Sequence, residues 1–237
     1  MIIYKGKKVF PLAEKESIKQ NVYNTLKKAI LTKQLSPGSQ LVEHTISAHL
    51  NVSRTPIRSA IQLLADEGLV EMIPNRGAFV INPTREEVVQ AYELRKDLEI
   101  MAVRDSIGQF TTEDFASMEL LISKEKNALK EQNFEAYVEI NAAFHIALTK
   151  KCNNIFLIEF IETLIQRTSA YLMLFDRFLE ETASQPYGYK EHQDIIQLLK
   201  EENEKPLIET IQNHFNNAIE NLKIQREYTN LENIFKP

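Results

Sequence analysis

Ser53-Arg54-Thr55-Pro56-Ile57-Arg58 runs on into Leu63-Leu64-Ala65-Asp66-Glu67-Gly68-Leu69-Val70, and this stretch decides how the N-terminal third folds. Proline suits the first turn of a helix, because the N–H it lacks would have no partner there. The pattern predicts a helix from about Arg54 to Glu67, stopped by Gly68. Arg54 and Arg58 lie four apart and project from one side of it. The hydroxyls of Ser53 and Thr55 join free backbone N–H groups at its N-terminus. Such a terminus can meet phosphates and base edges in a DNA major groove.

Upstream, Ser17 caps a helix in which Val22, Leu26, Ala29 and Ile30 recur at helical spacing. Ser36-Pro37-Gly38-Ser39 is turn chemistry. A short second helix covers Glu43 to Leu50, and Asn51-Val52-Ser53 turns into the third. Downstream the period changes: Leu69 to Ile73 and Ala78 to Ile81 read as strands, with Pro74-Asn75-Arg76-Gly77 as the hairpin tip. Three helices and a hairpin make a winged helix-turn-helix. Arg76 and Gly77 then sit on the wing, within reach of a minor groove or a phosphate. His44, on the second helix, faces the DNA backbone in such an architecture, although a plain surface histidine is equally consistent.

Thr84-Arg85-Glu86-Glu87 matches a capping box and opens a new helix. From there to about Gln225 there is no strand signal. Breaks near Gly108–Thr112, Gln132-Asn133, Cys152–Asn154, Thr182–Gly188 and Asn203–Pro206 divide the segment into helices. The expected fold is mainly α: a winged helix-turn-helix joined to an all-α bundle of six to seven helices. The expected divisions are an arm (1–16), the winged helix (17–82), the bundle (83–228) and a tail (229–237).

The net charge of −5 is unevenly spread. Residues 1–83 hold 11 Lys and Arg against 6 Asp and Glu, a balance of +5; residues 84–237 hold 17 against 27, a balance of −10. That asymmetry fits a nucleic-acid-binding part joined to an acidic part. The single cysteine, Cys152, excludes an internal disulfide framework and fits a reducing cytoplasm. There is no signal-peptide pattern. Ile155 to Phe175, the longest apolar-rich stretch, is broken by Glu159, Glu162, Gln166 and Arg167 and reads as a buried core helix.

The N-terminal half resembles the GntR family of bacterial transcription regulators. The residues that carry the likeness are Leu35 to Leu41, Val52 to Arg58, Glu67-Gly68-Leu69-Val70 and Asn75-Arg76-Gly77-Ala78. The helical half resembles the FCD effector domain of the FadR-like subfamily, through Glu93-Leu94-Arg95, Leu98-Glu99, Asn141 to His145, Glu191-His192 and His214. The resemblance implies a homodimer that binds a short palindromic operator and responds to a small ligand. It implies DNA contacts from Arg54, Arg58 and the wing tip at Arg76-Gly77, and a divalent metal beside a carboxylate effector. The family often carries an aspartate where this chain has Asn141.

The spacing of the histidines supports a shared site. Asn141 and His145 are four apart and face the same way. His192 lies 11 residues before Asn203 and His214 lies 11 after it. If the helices flanking that turn pack antiparallel, both histidines stand at one level. Three imidazoles pointing into a core suit a divalent transition metal, zinc or nickel, with Asn141, His145, His192 and His214 as ligands. Three unrelated core histidines, each hydrogen-bonded, is the plainer alternative.

Arg95 and Arg167 have apolar sequence neighbours, and a buried guanidinium needs a partner. An anionic effector held by a two-pronged bond would supply one, with Tyr171 beside it. An internal ion pair is the alternative, and for Arg95 Glu99 is at hand four residues on. The leading expectation is a ligand-responsive transcription factor. A constitutive DNA-binding dimer, and a metal enzyme with Glu191 as base, are the other readings.

Overall fold

The computed structural model describes residues 17–175 and 188–222. The arm, the Thr182–Gly188 break up to Tyr187 and the tail lie outside the described residues.

The first helix, α1 (Ile18–Leu31), starts where the Ser17 side chain accepts from the Gln20 N–H at 3.2 Å. Such a cap contributes about 1 kcal/mol. It buries Val22, Leu26, Ala29 and Ile30. Helix α2 (Glu43–Leu50) ends at Asn51 in the left-handed conformation, which asparagine tolerates better than most residues. Helix α3 (Arg54–Asp66) buries Ile57, Ala60, Ile61 and Leu64 against α1, which turns Arg54 and Arg58 outward. Gly68 has φ +76°, and its backbone runs close enough to the helical half that a Cβ would lie 3.6 Å from that of Ala170. Strands β1 (Val70–Ile73) and β2 (Gly77–Val80) pair antiparallel, Val70 opposite Val80 and Ile73 opposite Gly77. The segment read as a plain turn also joins this sheet. Gly38 donates to Val80 O at 2.9 Å, Leu41 to Ala78 O at 2.8 Å, and Gln40 bridges Phe79. The wing is thereby tied down on a third edge.

The helical half consists, among the described residues, of α4 (Arg85–Ser106), α5 (Thr112–Lys130), α6 (Phe134–Thr149), α7 (Ile155–Phe175), α8 (Gly188–Lys200) and α9 (Glu204–Asn221). Capping boxes at Thr84/Glu87 and Thr111/Asp114 start α4 and α5, and the Asn133 side chain caps α6. Helix α4 packs on α6, α7 and α9, while α5 packs on α6 and α8. Phe144, Phe215, Met118, Leu148, Ile161 and Leu199 fill the core between them, each contributing about 1.5–3 kcal/mol by leaving water. Helix α7 departs from the expected buried helix: Ile155, Phe156 and Phe160 near its start are exposed. No described helix is long and apolar enough to cross a membrane.

One polar junction joins the two halves. Lys27 of α1, buried, pairs with Glu67 at the end of α3 (3.1 Å) and with Glu135 of α6 (2.5 Å). It also donates to the Tyr23 hydroxyl at 3.0 Å, and that hydroxyl donates to Glu67. Burial works to lower the Lys27 ammonium, but the bonds to Glu135, Tyr23 and Glu67 outweigh it and hold it above the usual lysine range.

Candidate functional site

Three helices bring the three histidines together. His145 comes from the middle of α6, His192 from the first turns of α8 and His214 from α9. One ligand atom from each lies within 4.8 Å of the others. The His192 and His214 ring centres are 4.7 Å apart, so the equal offsets from Asn203 do put them at one level. Phe144 stacks on His192 with 4.0 Å between ring centres and closes the site on one side.

Each histidine rests its Nδ1 on a carboxylate. His145 meets Glu99 of α4 at 2.7 Å, His192 meets Glu125 of α5 at 2.9 Å and His214 meets Glu191 of α8 at 2.7 Å. A carboxylate accepts, so each Nδ1 carries the proton and each Nε2 presents a lone pair. The Nε2 atoms of His145 and His214 face each other at 3.3 Å, and Nε2 of His192 has no partner among the described residues. Facing lone pairs repel unless a cation lies among them. Burial first, then the positive charge of Arg95, holds His145 well below its usual range. Burial likewise lowers His214, against the pull of Glu191. Burial raises Glu99 although Arg95 opposes it. Burial works to raise Glu191 too, but the bonds from His214 and Asn217 outweigh it and bring that carboxyl down.

A cavity of about 80 Å³ opens beside the rings, lined by Arg95, Tyr137, Asn141, His145, Glu191 and His214 among others. Asn141 is buried and faces it. Arg95 is 3 % exposed. Its Nε donates to Glu99 at 2.7 Å and its Nη1 to the Thr168 hydroxyl at 2.7 Å, while Nη2 has no partner among the described residues. Arg95 lines the cavity, and a buried guanidinium N–H without a partner calls for an acceptor.

Arg167 is placed differently from the sequence expectation. It is exposed, and with Tyr171 it lines a separate cleft of about 690 Å³ beside Gly68, Asn82, Pro83 and Glu87. Its sequence neighbours Ile165, Thr168 and Leu172 occupy the opposite, buried side of α7. Adjacency in sequence was a poor guide to burial because successive helical residues point about 100° apart. The Tyr171 hydroxyl is raised by burial, with Arg167 pulling the other way.

Sequence reasoning missed Glu99 and Glu125 as histidine partners. Glu99 was credited only to Arg95, yet its second oxygen serves His145. Glu125 carries no local signal, since its partner is 67 residues away. Glu191 does point away from His192, its sequence neighbour, as expected; it turns to His214 instead.

At the other end of the molecule His44, Ser53, Arg54, Thr55, Arg58, Arg76 and Gly77 are all exposed. His44, Arg54, Arg58 and Gly77 border one concave surface. The Ser53 side chain makes no cap bond. Arg76 stands over the Phe79 ring at 5.3 Å, and its carbonyl accepts from Gln40 Nε2 at 2.7 Å.

The proteins that this chain is similar to are regulators. Residues 18–80 match the bacterial regulatory proteins of the gntR family and residues 90–217 match the FCD domain. The HTH-type transcriptional regulator YdhC of Bacillus subtilis (strain 168) is 28% identical over 204 residues, covering 85% of this chain and 89% of its own. The HTH-type transcriptional regulator McbR of Escherichia coli (strain K12) is 27% identical over 183 residues, 77% of this chain and 80% of its own. The solved structure of E. coli McbR/YncC superposes with a TM-score of 0.63 at 23% identity, covering 86% of this chain and 96% of that one. That of Lar, which controls expression of the Listeria monocytogenes agr system, superposes with a TM-score of 0.66 at 20% identity over the same shares. These two likenesses establish the fold. The matched domains and relatives are regulators rather than enzymes, which removes the metal-enzyme reading. With the FCD match spanning more than half of its length, the chain belongs to the GntR family of bacterial transcription regulators, as a DNA-binding regulator with an FCD effector domain.

Proposed function

We propose that the chain is a cytoplasmic, homodimeric regulator. Its affinity for a palindromic operator is set by a small carboxylate bound beside a divalent transition metal. Residues 17–82 are the DNA-binding unit and 83–228 the effector unit. The observation that carries this reading is the convergence of three imidazole Nε2 atoms, each backed by a carboxylate on Nδ1. Outer carboxylates of this kind orient metal-binding imidazoles and raise their basicity.

Charge points the same way. Arg95 balances Glu99, while Glu125 and Glu191 pair with no lysine or arginine among the described residues. A divalent ion held by His145, His192 and His214 supplies the two missing positive charges. Zinc or nickel fits three imidazoles, and Asn141 offers a neutral oxygen. The ion would act as a Lewis acid that holds an anionic ligand. Arg95 is the anchor for that ligand in this pocket, because it lines the cavity and its Nη2 has no partner among the described residues, whereas Arg167 and Tyr171 would meet an effector only in the separate cleft.

The exposed apolar side chains Leu94 and Met101 of α4 and Phe156 and Phe160 of α7 lie on two helices packed together. They fit a surface covered by a second copy. On the DNA side, Ser53, Arg54, Thr55, Arg58, Arg76, Gly77 and His44 make the contacts.

Elemental analysis of protein purified without chelators tests the metal, with about one ion per chain expected. Stripping that ion lowers the melting temperature, and added Zn²⁺ or Ni²⁺ restores it. A metal-free protein whose melting temperature ignores both ions would leave the second reading, a constitutive DNA-binding dimer.

A further inference from the structure

The recognition helix does not hold Arg58 by itself. Both oxygens of Glu43, in the first turn of α2, accept from Arg58 Nε at 2.8 Å. The arginine is largely in solvent, its side chain 66 % exposed, and Glu43 is 33 % exposed. Both border the concave surface that Arg54, His44 and Gly77 also line.

Two physical considerations make this pair informative. An acid on a surface that meets phosphates weakens DNA binding by repulsion. An exposed arginine also has side-chain entropy that must be lost when it binds. Glu43 offsets the second at the expense of the first. It engages Nε, and among the described residues the Nη1 and Nη2 edge has no hydrogen-bond partner. Reading guanine needs two parallel donors aimed at O6 and N7, and that edge supplies them.

We infer that Glu43 is a positioning residue that fixes the Arg58 guanidinium for base readout, trading general DNA affinity for sequence discrimination. A parallel device serves the wing, where Gln40 ties down the Arg76 carbonyl at 2.7 Å. The inference rests on Arg58 facing DNA, which Arg58→Ala tests separately.

The experiment uses the full chain and a duplex selected by it from a random library. Dissociation constants are measured for that duplex and for scrambled DNA at several salt concentrations. For Glu43→Ala, binding to scrambled DNA tightens by roughly two- to fivefold, and the specific-to-scrambled ratio falls by roughly tenfold. Glu43→Asp separates this from a helix-end role. It keeps a negative charge near the α2 N-terminus but is one methylene shorter, so it loses discrimination as the alanine variant does. In the double variant with Arg58→Ala, removing Glu43 costs no further discrimination.

The inference is overturned if Glu43→Ala keeps the ratio, if Glu43→Asp behaves as the parent, or if the two residues act additively. A Glu43→Ala variant that discriminates better would overturn it as well, since Glu43 would then be a competitor for Arg58. Failure of Arg58→Ala to weaken operator binding would instead remove the reading beneath it.

Discussion

Arginine meets glutamate at both working ends of this molecule, under opposite conditions. In the histidine pocket Arg95 and Glu99 are almost wholly out of water, 3 % and 0 % exposed; on the proposed DNA-facing surface Arg58 is 66 % exposed over Glu43. Buried, such a pair sustains the fold, because either member alone is an uncompensated charge in a low-dielectric core. Exposed, it contributes little to stability and is left to serve recognition. Substitutions in the pocket therefore register as unfolding, and substitutions on the recognition face register as changed DNA binding in a folded protein.

The sharpest way to break the contrast is Arg95→Met. It leaves Glu99 buried without its cation, and a loss of about 3–5 kcal/mol is expected in denaturant unfolding. A loss under 1 kcal/mol would mean that the pocket is far wetter than its geometry implies. Next in size is metal. At free Zn²⁺ or Ni²⁺ about a thousandfold above the dissociation constant, stabilisation reaches about 4 kcal/mol, read as a rise in the thermal midpoint of stripped protein.

Protons come third. His145 and His214 have folded-state pKa values below their usual 6.5. The unfolded chain therefore binds more protons in the window below about 6.5. Their contribution is fully present above that pH and is lost as pH falls through it, by up to about 1.4 kcal/mol per unit for each ring. Unfolding free energies of the stripped protein between pH 7.5 and 5.5 check this, and a flat profile would contradict the burial of the neutral rings. Lys27→Met at the junction sits between the extremes. Its partners Glu67 and Glu135 are 37 % and 47 % exposed, so solvent limits the loss to about 1 kcal/mol. Smallest in stability is Arg58→Ala, which leaves the melting temperature nearly unchanged while operator binding weakens by roughly tenfold or more.

The same contrast explains what could be read in the sequence. The winged helix was legible because its signals are local: Ser17 as a cap, Pro56 in a first turn, and Gly68 with φ +76°. His192 and His214 were legible because one tight turn relates them. The carboxylate shell was not, since Glu99 and Glu125 reach histidines 46 and 67 residues away, and nothing local encodes such packing. Arg167 was misjudged because apolar neighbours in sequence lie on another side of its helix. The third edge of the wing at Gly38–Leu41 was hidden under strong turn residues.

The pocket and the recognition face also share one line of contact. Helix α6 carries His145 and, ten residues earlier, Glu135, which reaches Lys27 and through it Glu67 at the end of α3. A ligand that prefers one setting of α6 thus has a path to the end of α3, the proposed DNA-facing helix, and it would shift DNA binding only by that preference. The direct test is operator affinity of chelator-stripped protein, by fluorescence anisotropy, before and after adding Zn²⁺ or Ni²⁺ together with a panel of small carboxylates. The account predicts that at least one metal–carboxylate pair changes the dissociation constant by roughly fivefold or more and that Arg95→Lys abolishes the carboxylate's part of the change. Identical dissociation constants under all conditions, in a protein that demonstrably takes up the metal, would contradict it.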